Sequence, residues 1–224
     1  MKQMKVTALL LSGAILLGSC STMNNTAKGG IIGGGSGTAA GAIIGGLIGK
    51  GKGAAIGAAI GAVVGTGAGV AIGRKMDKKA AEAAKIQGAE VEKVTDSNGL
   101  TAVKVSFASG ILFAFNSAAL NNSSKASLRE LAQILKEDPT TDIAIIGHTD
   151  KVGTYDANMK VSKERAYSVE NYLQSCGISP SQFKEVQGVG YTQYDDSMSA
   201  EQNRRVDIYM YASEQMIKNA EAGH

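Results

Sequence analysis

Glycine recurs at every fourth position from Gly33 to Gly73, which gives eleven glycines in an unbroken row. Each glycine in a helix interior lowers helix stability by about 1 kcal/mol relative to alanine, so this row would not hold an isolated helix in water. The residues between the glycines are mostly Ala, Ile, Leu and Val. Because small residues at this spacing let two helix backbones approach closely, the row predicts helices that associate through their glycine faces.

A lysine pair interrupts the row at Lys50-Gly51-Lys52 and leaves uncharged runs over residues 29–49 and 53–73. A helix of either length would span about 31 Å, close to the hydrocarbon thickness of a bilayer. We therefore predict a glycine-zipper helical hairpin over residues 29–75, turning at the lysines. A flexible glycine-rich linker is the alternative interpretation of the same residues.

The first residues have the features of a secretory signal. Lys2 and Lys5 precede a short apolar stretch, which ends in Leu17-Gly18-Ser19-Cys20. This ending resembles a bacterial lipobox, in which the cysteine becomes the lipidated N-terminus and carries palmitate among its acyl chains. The resemblance implies a signal peptide over residues 1–19, a lipidated Cys20 and a polar tether over residues 20–28. Enterobacterial lipoproteins that stay in the inner membrane carry Asp after the lipidated cysteine. Ser21 occupies that position here, which favours sorting to the outer membrane.

Charge is unevenly distributed along the chain. Residues 1–75 hold seven basic side chains and no acidic one, whereas residues 76–224 hold 16 basic and 20 acidic side chains. The basic pI therefore reflects the N-terminal third, and we expect no nucleic-acid partner. The two Cys and two His do not form a zinc pattern, and no P-loop or catalytic triad motif occurs. We expect a protein that is not an enzyme and holds no metal or cofactor, with Cys176 as a buried apolar residue.

The periodicity after residue 100 changes to short strands and amphipathic helices. Apolar pairs predict strand structure over 103–115, and an amphipathic helix is predicted with its N-cap near Asn122 or Ser123 and its end before Pro139. Its predicted inward face is Leu128, Leu131, Ile134 and Leu135, and that of the next helix is Ala166, Val169, Tyr172 and Leu173. The predicted order is βαβαββ, an α/β (α+β sandwich) fold with two helices on one face of a mixed sheet. Residues 76–99 are predicted as a connector and residues 213–224 as a C-terminal tail.

Five blocks of this region carry a family resemblance. They are FAFNSAAL, GHTDKVG, the N-x3-S-x2-RA spacing from Asn158 to Ala166, GVGY and NRRVDI. In this order they resemble the OmpA-like peptidoglycan-binding domain over about residues 100–212. The whole layout is similar to a subgroup of bacterial outer-membrane lipoproteins.

The resemblance implies a ligand, the diaminopimelate (DAP) side chain of a peptidoglycan stem peptide. Asp150 would bind its ammonium group and Arg165 its carboxylate, which is the pair of charges that a zwitterion needs. Thr149 and Asn158 match positions that add hydrogen bonds. Asn116 lies in a loop whose backbone N–H groups would face the ligand.

The resemblance includes three further residues, His148, Arg204 and Arg205. Of Arg204 and Arg205, one is expected to support the pocket and the other to lie at the surface; Arg205 is included in the site, but the sequence does not distinguish the two. His148 is expected to pack at a strand end. Ala114 replaces an Asp that some members carry, and the loop 191–202 lacks their common proline, so rim contacts are expected to differ.

The sequence thus predicts an outer-membrane lipoprotein that binds peptidoglycan non-covalently and ties the membrane to the cell wall. Its lipid would lie in the membrane, its C-terminal domain would lie in the periplasm, and the zipper could form homo-oligomers. The alternative function is an oligomeric membrane-active or pore-like protein whose glycine zipper carries the function, with wall binding used only for positioning.

Overall fold

The computed structural model of the protein describes residues 67–96, 99–113 and 117–223. Strands β1 to β5 span, in chain order, Ala89–Thr95, Thr101–Ala108, Thr141–Gly147, Phe183–Gly188 and Arg205–Ala212. Helices α1 to α6 span Gly67–Ala83, Ser109–Leu112, Asn122–Lys136, Tyr155–Ser175, Ala200–Asn203 and Glu214–Glu221, and a 3-10 turn covers Pro180–Gln182.

The strands form one mixed sheet in the order β1-β2-β5-β3-β4. The last strand, β5, is central and pairs antiparallel with both β2 and β3, whereas β4 pairs parallel with β3 through the α4 crossover. The order from β2 to β5 is βαβαββ, so the predicted fold class is confirmed.

The main core lies between one face of the sheet and helices α1, α3, α4 and α6. Phe107, Ile145 and Ile208 supply the sheet side and are fully buried. The predicted inward residues of α3 and α4 are buried, except that Tyr172 and the nearby Cys176 are only partly covered. The 3.6-residue period of the apolar positions therefore predicted both helix faces.

Several local predictions were wrong. The N-cap of α3 is Asn121, one residue before the first of the two predicted caps, and its Oδ1 accepts a hydrogen bond from the Ser124 N–H at 2.8 Å. Leu112 lies in the short helix α2 because the strand ends at Ala108, and Phe113 makes an isolated bridge with Leu120. The region predicted as connector contains β1, which pairs with β2 along its whole length, and the predicted tail contains α6.

Helix α1 belongs to the same core, although its first turns carry the last glycines of the row. Ile72 and Met76 are fully buried there, and Ala80 and Ala83 continue their stripe. The basic side of the helix contacts the end of α3, where Lys79 Nζ donates to the Ile134 carbonyl at 3.4 Å. The helix that carries the C-terminal end of the glycine row is therefore joined to the folded domain by apolar packing and by this hydrogen bond.

Two glycines let α4 approach the sheet backbone. A Cβ atom on Gly147 would lie 2.1 Å from the Ser162 carbonyl oxygen, and one on Gly188 would lie 2.1 Å from the Lys163 backbone nitrogen. Any larger residue would have to push α4 outward. These glycines, at the ends of β3 and β4, therefore set the height at which α4 lies above the sheet.

The remaining sequence predictions fall largely outside the described residues. Cys20, the turn at Lys50-Gly51-Lys52 and most of the glycine row belong to this group. Among the described residues, none of the helices combines the length and apolar character needed to cross a bilayer.

Candidate functional site

Asp150 lies three residues beyond the end of β3, where the chain turns away from the sheet. Its Oδ1 accepts a hydrogen bond from the Val152 N–H at 3.0 Å, and its Oδ2 accepts one from Arg204 Nη1 at 2.6 Å. The side chain retains 13% of its exposure. The carboxylate is therefore held by two donors and can still be reached from solvent.

Arg165 lies in the middle of α4, directly beside the residues that contact Gly147 and Gly188. Its Nε donates to the Ser117 carbonyl at 3.2 Å, and its guanidinium lies 5.2 Å from the centre of the Phe113 ring. Within the described part of the chain, Ser117 is its only hydrogen-bond partner, so both terminal nitrogens remain free to donate.

The charge state of Arg165 reflects its surroundings. Burial lowers its pKa, the nearby Arg204 lowers it further, and Asp150 opposes both. A guanidinium remains protonated at neutral pH despite such a shift. Arg165, Arg204 and Asp150 thus form one electrostatic group with an excess of one positive charge.

The structure distinguishes the two arginines that the sequence could not. Arg204 contacts Asp150, whereas the Arg205 Nε donates to both carboxylate oxygens of Asp207, at 3.1 and 3.2 Å. Arg205 begins β5 and Arg204 lies just before it, so their side chains leave the backbone in different directions. The NRR motif indicated that one of the two arginines supports the site. The position at which β5 begins decides which of them contacts Asp150.

Asn158 and Thr149 shape the loop around Asp150. The Asn158 amide donates to the carbonyls of Val152 and Thr154, at 2.9 and 3.0 Å, and so holds the loop closed. The Thr149 N–H donates to the Gly190 carbonyl at 2.9 Å, while its buried hydroxyl has no hydrogen-bond partner among the described residues. Asn116 lies outside the described residues.

A buried polar cluster lies behind this loop and joins β2, β3 and β5. Asp207 accepts from Ser106 Oγ at 2.7 Å and from Arg205, and His148 Nε2 lies 3.1 Å from its Oδ2. Burial lowers the pKa of His148, although Asp207 opposes that shift. Burial would raise the pKa of Asp207, but His148, Arg205 and Ser106 together hold it well below its usual range. His148 therefore packs at the strand end, as the sequence predicted, and lies beneath the site.

The arrangement of charges suits a small zwitterion. Asp150 can accept from an ammonium group, and the free nitrogens of Arg165 can grip a carboxylate at two points. The extra positive charge from Arg204 favours a ligand whose carboxylate approaches the arginines. The sequence-predicted pair, Asp150 and Arg165, is thus brought together at one site.

The chain matches two family models. The OmpA family model covers residues 112–207, and the YMGG-like Gly-zipper model covers residues 1–77. The first match includes Asp150, Arg165 and Arg204, and the second includes Cys20 and the whole glycine row.

Similar proteins include two curated lipoproteins. The probable lipoprotein YiaD of Escherichia coli is 37% identical over 102 residues, which cover 44% of this chain and 46% of that protein. The peptidoglycan-associated lipoprotein of Buchnera aphidicola is 41% identical over 76 residues, which cover 34% of this chain and 44% of that protein. The chain thus spans less than half the length of each of these relatives.

Among solved structures, a MotB-like protein from Desulfovibrio vulgaris has a similar fold, with a TM-score of 0.53 at 20% identity. The alignment covers 64% of this chain and 96% of that one.

Proposed function

We propose that this chain, whose residues 112–207 match the OmpA family model, is an envelope lipoprotein whose C-terminal domain binds peptidoglycan non-covalently. The ligand is the DAP of the stem peptide. The observation that carries the proposal is the convergence of Asp150, Arg165 and Arg204, because a zwitterionic amino acid requires both signs of charge within a few ångströms.

Each charge has a defined task in this proposal. The DAP ammonium binds the Asp150 carboxylate, which has capacity beyond its bonds to Val152 and Arg204. The DAP carboxylate binds the two terminal nitrogens of Arg165, whose orientation is fixed by Ser117 and Phe113. Because Arg165 is already held in place, little side-chain entropy is lost on binding.

The other predicted site residues have supporting tasks. The Thr149 hydroxyl supplies a hydrogen bond to the ligand, since it is buried without a partner among the described residues. Asn158 acts through the loop that its amide holds, and Asn116 contributes from the loop after Phe113. Arg205 acts only indirectly, through Asp207 beneath the site, and Arg204 takes the supporting position that the sequence left open between the two arginines.

The N-terminal part of the chain is proposed to attach the domain to the membrane. We propose that lipid on Cys20 anchors the chain in the outer membrane, with the C-terminal domain in the periplasm. The glycine zipper mediates contact between copies of the chain. The similarity to two lipoproteins and the match to a Gly-zipper model support this layout.

The test is co-sedimentation of the full chain with purified sacculi. Asp150→Asn and Arg165→Gln should each weaken binding by about 10- to 150-fold, because hydrogen bonds to charged groups contribute about 1.5–3 kcal/mol. The double variant should lose less than the sum of both effects, since the two side chains bind neighbouring groups of one DAP residue. Sacculi that carry lysine in place of DAP lack the second carboxylate and should bind the wild type as weakly as Arg165→Gln binds DAP sacculi.

Matched controls come from α1, where Asp77 and Arg74 carry the same charges away from the site. Asp77→Asn and Arg74→Gln should bind like the wild type. Near-ultraviolet circular dichroism of the buried tyrosines verifies the fold of every variant. Wild-type binding by correctly folded Asp150→Asn and Arg165→Gln would disprove the proposed pocket.

A further inference from the structure

An aromatic surface lies next to the proposed DAP site and is not used by it. Tyr155, the first residue of α4, is 50% exposed, and Val152 on the preceding loop is 77% exposed. The Tyr155 ring meets the partly buried Tyr191 ring edge to face, with centroids 6.0 Å apart. Neither side chain belongs to a hydrophobic core among the described residues, so packing does not account for their exposure side by side.

This surface, Val152 with Tyr155 and Tyr191, is rigidly held. The Val152 N–H donates to Asp150, and the Val152 carbonyl accepts from the Asn158 amide. On the other side, Lys151 ties the two loops together, because its Nζ lies 4.2 Å from the centre of the Tyr194 ring and 2.8 Å from the Asp196 carboxylate. Such a surface can receive a ligand without ordering a flexible loop first.

Its distance from Asp150 is fixed by the backbone. The Thr149 N–H bonds to the Gly190 carbonyl at 2.9 Å, and Asp150 and Tyr191 are the next residues in their segments. By standard backbone dimensions, their Cα atoms therefore lie within about 14 Å of each other. In an extended stem peptide, DAP is separated from the sugar backbone by roughly the same distance, on the order of 10 Å.

We propose that the Val152–Tyr155–Tyr191 surface binds the glycan strand of the same peptidoglycan whose DAP occupies the Asp150 site. This inference rests on the proposed function and extends it from the stem peptide to the sugar. A pyranose ring presents a face of C–H groups with hydroxyls around its rim. Tyrosine rings match that chemistry, since the electron-rich ring face attracts C–H groups and the phenol can bond a hydroxyl.

The experiment compares two soluble ligands on the full chain by isothermal titration calorimetry. One is a stem tripeptide that ends in DAP, and the other is the same tripeptide attached to its disaccharide. The wild type should bind the disaccharide form about 3- to 10-fold more tightly, a gain typical of one or two ring contacts. Tyr155→Ala with Tyr191→Ala should bring the ratio close to one and keep the tripeptide affinity.

Tyr167 provides the matched control, because it is 40% exposed on a different face of α4. Tyr167→Ala should keep the wild-type ratio. A wild-type ratio near one, or an unchanged ratio in the double variant, would overturn the glycan inference while the proposed function stands. Binding of neither ligand by the wild type would overturn both. If the double variant kept the ratio of the two ligand affinities but no longer bound another protein, the surface would be a protein contact. This inference would then be wrong.

The single variant Tyr155→Ala guards against a misfolded double variant. Tyr155 is half exposed at the helix start, so its removal leaves the core intact. It should lower the ratio between the two affinities by about half or more. Retention of the full ratio in this variant would also contradict the inference.

Discussion

The close approach of α4 to the sheet makes a quantitative prediction for Gly188→Ala. The added Cβ would lie 2.1 Å from the Lys163 backbone nitrogen and 2.3 Å from Ser162 Oγ. An ordinary contact begins at 3.4 Å, so α4 must move outward by about 1.3 Å. Overpacking of this kind reduces the free energy of unfolding by about 1–3 kcal/mol.

The same shift breaks a hydrogen bond and misplaces the site. Ser162 Oγ accepts from the Gly190 N–H at 3.0 Å, and its loss adds about 1 kcal/mol. We expect Gly188→Ala to be destabilised by about 2–4 kcal/mol. Because Arg165 moves with α4 while Asp150 stays on its loop, sacculus binding should also fall by at least about tenfold, since a site tolerates only about 0.5 Å of displacement.

Urea unfolding of the full chain measures the stability term, and co-sedimentation measures binding. The chain contains no Trp, so near-ultraviolet circular dichroism of the buried Tyr209 and Tyr211 is the natural probe. Gly73→Ala is the control, because its Cβ would meet only Thr101 Oγ1, at 3.9 Å. This change should stabilise α1 by about 0.5–1 kcal/mol. Equal stability and binding for Gly188→Ala and wild type would refute the close-approach argument.

Three further predictions follow from burial, charge and the N-terminal sequence. Met76→Ala should lower the free energy of unfolding by about 2–5 kcal/mol because Met76 is fully buried. Val70→Ala, at an exposed site of the same helix, should change it little. Equal effects of the two substitutions in urea unfolding would show that α1 does not pack in the core. His148 has a lowered pKa in the folded state, so its contribution to stability is complete above about pH 6.5 and is lost as pH falls further, at up to about 1.4 kcal/mol per pH unit. The stability difference between wild type and His148→Gln should therefore shrink from pH 7 to pH 5, and parallel pH profiles would show that His148 is not buried in its neutral form. Cys20→Ala should abolish metabolic labelling with palmitate, and label retained in this variant would contradict the lipobox assignment.

The sequence by itself determined the elements whose signal is local. The apolar period of α3 identified its buried face because an amphipathic helix has one stable way to face a core. The resemblance of the GHTD and RA blocks singled out Asp150 and Arg165 as the proposed ligand pair. The buried stripe of Ile72 and Met76 crosses the predicted boundary between zipper and connector at residue 75, and the sequence did not assign it a partner. A buried stripe fits either a neighbouring helix of a zipper or the core of a domain.

Only the tertiary structure decided the features that depend on contacts between distant residues. Three of the seven residues of strand β1 are charged, Glu90, Glu92 and Lys93, and its pairing with β2 makes it a strand. Asp150 meets Arg204 and not Arg205 because β5 begins between them and turns the second side chain to Asp207. The spacing of residues along the chain gives the charges that a site needs. The packing of α4 on Gly147 and Gly188 decides whether those charges meet. A site needs its side chains placed to within about 1 Å, and only tertiary contacts fix positions that closely.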